Sequence, residues 1–91
     1  MSGSRRSEWP AWWGWELELS SHILKRMVDR DFSEVDLRSM MSIAMNLRED
    51  QERGRWVVET SHDARRWEVI VEPDPADQLL VVITAYPVES P

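Results

Sequence analysis

The sequence predicts an α+β fold, and three observations predict it. Residues 55–86 hold three runs of alternating apolar and polar residues separated by turn-forming residues. Residues 21–47 place apolar side chains three and four apart, the helical spacing. Ahead of them, Trp15, Leu17 and Leu19 alternate with Glu16 and Glu18, which marks a half-buried strand. The order is β-α-α-β-β-β: a four-stranded, mostly antiparallel sheet with two helices packed on one face.

Each element has its own signal. Trp9-Pro10-Ala11-Trp12-Trp13-Gly14 reads as a loop packed over a core edge, or else as an aromatic patch for a partner. Ser20 or Ser21 caps a first helix reaching Asp31, with Ile23, Leu24, Met27 and Val28 inward and His22, Arg26 and Arg30 on the other face. Ser33 opens a second helix, with Asp36 at the capping-box offset. Val35, Leu37, Met40, Met41, Ala44 and Leu47 continue its apolar stripe, and Arg48 to Gly54 reads as a charged loop. Arg55–His62, Arg65–Glu72 and Leu79–Tyr86 are the later strands, with Asp63-Ala64 a tight hairpin turn. Leu79-Leu80-Val81-Val82-Ile83 is apolar on both faces, so this strand is central, with the first strand parallel beside it.

Composition narrows the function classes. The 91 residues suffice for one domain, expected over 9–91 behind a polar, disordered leader at 1–8. Six Trp supply much of the core bulk. The chain has no Cys, which removes disulfides, thiolate metal sites and a cysteine nucleophile. No H-x-x-x-H or H-E-x-x-H spacing occurs, so neither a metal nor another cofactor is expected. No apolar run approaches a membrane span, and the start lacks the apolar core of a signal peptide, so a cytoplasmic location is expected. The net charge of −6 argues against RNA or DNA as a ligand.

Simple hairpin registers set Thr60 opposite Trp67 and Trp67 opposite Thr84, with His62, Arg65 and Tyr86 in one row. One sheet face then holds Trp56, Val58, Val69, Val71, Leu80 and Val82 and turns polar at one end. There Thr60, His62, Arg65, Thr84 and Tyr86 meet His22 and Arg26 of the first helix. Histidine moves protons near neutral pH, arginine holds phosphate, and tyrosine donates a hydrogen bond or stacks on a base. This is an inventory for metal-free phosphodiester cleavage by a 2′-hydroxyl. The opposite face carries Glu16, Glu18, Glu59, Glu68 and Glu72 against Arg55 and Arg66, around Val57, Ile70, Val81 and Ile83. An apolar strip flanked by carboxylates suits a protein partner or a basic helix.

His22-Ile-Leu-Lys-Arg26-Met27, Gly54-Arg55-Trp56-Val57-Val58-Glu59, Trp67-Glu-Val-Ile-Val-Glu72-Pro73-Asp74 and Val82-Ile-Thr84-Ala85-Tyr86-Pro87 together resemble a group of small bacterial domains of unassigned function near the RelE/ParE toxin superfamily. The resemblance spans His22 to Glu89 and implies the same β-α-α-β-β-β order. It implies a toxin of a toxin–antitoxin pair, which cleaves messenger RNA on the ribosome or inhibits gyrase and is neutralised by an antitoxin. His22, Arg26, Arg66, Thr84 and Tyr86 are the positions it points to. The acidic charge departs from the ribosome-cleaving members. The alternative is a non-catalytic interaction module on the same fold, binding another protein or a second copy of itself.

Overall fold

A computed structural model describes residues 8–88. Of the leader expected at 1–8, all but Glu8 lies outside the described residues. The chain forms a 3₁₀ turn (Ala11–Gly14), β1 (Glu16–Leu19), α1 (Ser21–Asp29), α2 (Glu34–Ser42), β2 (Asn46–Glu49), β3 (Trp56–His62), β4 (Arg65–Asp74) and β5 (Leu79–Pro87). The strands make one mixed sheet in the order β1-β5-β4-β3-β2. β1 runs parallel to β5, and the other pairings are antiparallel.

The sheet has five strands, not four. Residues 46–49, read from sequence partly as helix and partly as loop, pair with β3 instead. The segment is short, with no β-branched residue, so its strand character comes from the ladder rather than from propensity. Leu47 sits opposite Val58 on the helix-covered face, which is why its apolar side chain fits both readings. The addition moves β4 to the middle of the sheet and leaves β5 interior.

Both helices start as their sequences dictate. Ser20 caps α1 by accepting the Ile23 N–H at 3.1 Å. Ser33 and Asp36 form the reciprocal capping box of α2. The helices bury Ile23, Leu37, Met40 and Met41 against Val58, Trp67, Val69, Val71, Leu80, Val82 and Ala85. Leu24 and Val28 do not join them: both are exposed, and α1 buries only Ile23 fully. The Trp-rich segment packs on the core edge, with Trp12 set 5.3 Å from Trp56 and Trp9 edge-on to Trp13 at 4.7 Å.

The β3–β4 hairpin has the expected register, with Thr60 opposite Trp67 and His62 opposite Arg65. Its turn residues Asp63 and Ala64 have φ of 56° and 64°. Two consecutive left-handed residues match the twist of a hairpin, but alanine tolerates that region poorly. Ala64→Gly is therefore expected to stabilise the domain by about 0.5–1 kcal/mol, seen as a rise of roughly 4 °C in Tm.

The β4–β5 register differs from expectation. Val71 pairs with Val82, but Ile70 pairs with Thr84, so Ile83 is an extra residue and a β-bulge. The register is already two residues off ahead of the bulge, with Val71 opposite Val82 rather than Leu80, and the bulge adds a third. Trp67 therefore faces Pro87 and Tyr86 faces Glu68, rather than Trp67 facing Thr84 and Tyr86 sharing a row with His62 and Arg65. A single extra residue inverts every later side chain. Ala85 becomes the fully buried inward residue, while Thr84 and Tyr86 turn to the face opposite the helices. The bulge is anchored by Ser20, whose hydroxyl donates to the Ile83 carbonyl at 3.1 Å while capping α1.

Candidate functional site

The bulge carries two of the seven candidate residues, Thr84 and Tyr86, to the face opposite the helices. His62 and Arg65 remain on the helix-covered side, opposite one another beside the hairpin turn. His62 is half-buried against the Trp67 ring, edge to face at 5.5 Å, and Phe32 meets Trp67 at 5.2 Å. Trp67 Nε1 is buried and meets no acceptor among the described residues. Arg66, Thr84 and Tyr86 lie on the open face. His22 is exposed at the start of α1, and Arg26 is held by Asp29 at 3.0 Å. The structure thus brings His62 together with Arg65, and Tyr86 together with Glu68, but does not gather all seven on one surface.

The open face has an order of its own. Tyr86, Glu68, Glu59 and Asn46 form one row across β5, β4, β3 and β2. Arg48, from the strand that sequence reasoning missed, ties the row together. Its Nε donates to Glu59 at 2.8 Å and its NH2 group donates to Glu68 at 3.0 Å. The Tyr86 hydroxyl donates to the other oxygen of Glu68 at 2.8 Å. Further along, Arg55 donates to Glu72 at 3.1 Å. Val57 and Ile70, though on this face, are only 2% and 7% exposed. Their row lies between charged rows whose aliphatic stems shield it. The alternation Asn46-Leu47-Arg48 was the one sequence signal for Arg48, and it is the shortest pattern a strand can show.

The network sets the titration of its members. Burial, then the bond to the Glu68 carboxylate, pushes Tyr86 up to about 12 from 10.0. A neutral phenol that donates to a carboxylate is a poor proton acceptor and nucleophile. The Arg48 hydrogen bond holds Glu59 below the usual carboxylate range, and Asp36 is lowered by its bonds within the capping box. Carboxylates depressed in the fold stabilise it above their unfolded pKa and lose that contribution as the pH falls through the folded one. Stability is therefore expected to fall below about pH 4.5, the ordinary range of Glu. The sign reverses for Tyr86: its raised pKa stabilises the fold below pH 10 and is lost as pH rises toward 12. Absorbance titration at alkaline pH should find the phenolate forming near 12, and Glu68→Gln should bring that midpoint down.

A groove of about 220 Å³ opens on the helix side, lined by Trp13, Trp15, Leu17, Arg38, Met41 and Ser42. Among the described residues no cluster of His, Asp and Glu is grouped to hold a metal ion, and no helix is long and apolar enough to cross a membrane.

A family model described as a domain of unknown function, DUF4258, matches residues 19–87. The chain belongs to the DUF4258 family. The matched span of this DUF4258 domain runs from the last residue of β1 to the end of β5 and includes all seven candidate residues. It leaves out the Trp-rich turn and most of β1. Comparison with curated proteins and with solved structures gave no match.

Proposed function

We propose that this DUF4258 domain is a non-catalytic protein-binding module whose open sheet face receives a basic segment of a partner. One observation carries the reading: both helices pack on one face of the sheet, and the bare face is lined with carboxylates. Glu16, Glu18, Glu59, Glu68, Glu72 and Asp74 lie on it, against Arg48, Arg55 and Arg66. Arg48 and Arg55 are occupied by Glu59, Glu68 and Glu72, and among the described residues no ion pair holds Glu16 or Glu18. A face of this sign draws a cationic partner and repels phosphate. The test is a chemical-shift titration with lysine-rich and glutamate-rich peptides. Only the lysine-rich peptide should move the amides of β1, β3, β4 and β5, and roughly 0.5 M salt should remove the effect by screening. Equal response to both peptides, or to neither, overturns the reading.

A second reading rests on a different observation. His62 and Arg65 face each other at the hairpin, so this corner keeps a histidine beside a cation, while Arg66, next in sequence, lies on the open face. It supports the metal-free endoribonuclease, neutralised by an antitoxin, that a RelE/ParE-like origin implies. Gyrase inhibition has no such support. Incubation with RNA and ribosomes decides: intact RNA removes the ribonuclease, whereas cleavage that disappears in His62→Ala and Arg65→Ala establishes it.

A further inference from the structure

The groove and the bare sheet edge beside it describe how a partner would be held. β1 is an edge strand, because among the described residues its sole neighbour in the sheet is β5. The Ser20 N–H donates to Val82, so alternation along the strand turns the backbone groups of Leu17 and Leu19 away from β5. Among the described residues these groups have no strand to pair with. The same strand exposes two different chemistries. On the helix side Leu17, with Trp13 and Trp15, walls the groove, and Met41 of α2 closes it from the other side. On the open side stand Glu16 and Glu18, exposed and, among the described residues, held by no ion pair.

A groove between an edge strand and a helix is where an extended peptide adds a strand. Main-chain hydrogen bonds supply affinity, and pockets for alternate side chains supply selectivity. The groove is smaller than the ~300–1,000 Å³ of sites for drug-sized molecules, and suits one large apolar side chain. Trp and Met walls adapt to its shape. Arg38 at the rim is neutralised by Glu34 at 2.9 Å, so the groove does not itself ask for an anion.

We propose that β1 accepts an added strand from a partner protein, in a segment that alternates apolar and basic residues. Its apolar side chains enter the Trp13–Leu17–Met41 groove, and its lysines or arginines stand beside Glu16 and Glu18. This deepens the binding-module reading and rests on it, by naming the edge that is used and the pattern that is recognised.

The test compares three short synthetic peptides added to the full chain: one alternating Lys and Val, one with the same residues in two blocks, and one alternating but N-methylated on every second amide. The alternating peptide should protect the Leu17 and Leu19 amides from hydrogen exchange and change the Trp emission. It should bind at least ~10-fold more tightly than either control, a difference of about 1.4 kcal/mol. Glu16→Lys/Glu18→Lys, which alters exposed positions only, should transfer the preference to an alternating Glu and Val peptide. If the alternating and block peptides bind equally and the Leu17 and Leu19 amides stay unprotected, strand addition is wrong while the basic-partner reading stands. If none of the three binds, both are wrong.

Discussion

Replacing Thr60 with Val is expected to destabilise the domain by about 1–3 kcal/mol, although the two side chains have nearly the same shape. Thr60 is 1% exposed, and its hydroxyl donates to the Met40 carbonyl at 2.6 Å. Met40 lies in the last turn of α2, where helix carbonyls have run out of amide partners. The Thr60 hydroxyl supplies the missing donor from β3 and fastens the helix to the sheet. Valine keeps the volume and removes the donor, leaving a carbonyl buried without a partner. Denaturant unfolding should show the loss as a lower midpoint with an unchanged slope. Thr60→Ser, which keeps the hydroxyl, should retain more of the stability than Thr60→Val does. Equal stability of Thr60→Val and wild type would show that the bond contributes nothing net.

Ser20→Ala is expected to cost about 2 kcal/mol, more than an ordinary helix cap. One hydroxyl serves two roles: it accepts the Ile23 N–H at the start of α1 and donates to Ile83 at the bulge. Loss of the cap accounts for about 1 kcal/mol and loss of the second bond for a similar amount. Hydrogen exchange separates the two. Amides in the first turn of α1 and those around Ile83 and Thr84 should both exchange faster. Ser20→Thr retains the hydroxyl and should restore most of the protection. If only the helix amides respond, the hydroxyl does not hold the bulge.

Much of the fold could be read from local chemistry. Capping at Ser20 and Ser33 follows from short polar side chains ahead of helical spacing. The Thr60–Trp67 register follows from a two-residue turn, which leaves little freedom. Two features escaped because alternation does not reveal them. The Ile83 bulge lies in a strand that is apolar on both faces, where alternation says nothing about which side is buried. The strand at 46–49 owes its existence to its pairing with β3 across the loop at 50–55, because four residues without a β-branched side chain show almost no alternation of their own. Leu24 and Val28 have helical spacing but no surface to pack against, because α1 seats on β5 and β1 along the narrower stripe through Ile23.

The candidate site was legible up to that bulge. His62 and Arg65 precede it and occupy the predicted row. Thr84 and Tyr86 follow it and face the other way, where Tyr86 meets Glu68. Arg48 was invisible as a site residue because its strand was. A sequence scan finds which polar residues a chain owns, whereas a one-residue irregularity decides which of them meet.

The order of the strands bears on how the chain is made. Among the described strands, β1 is synthesised before the others and its one sheet partner, β5, after them. On the ribosome, β1 and the tryptophans around it must wait for residues 79–87 to emerge, while α1, α2 and the β3–β4 hairpin already have neighbours to contact. Pairing across so long a stretch of chain carries a high loop-closure cost and comes late. During that interval Trp12, Trp13 and Trp15 have no finished core to pack on. Nascent chains halted before Leu79 should therefore be the form most open to chaperone capture and proteolysis.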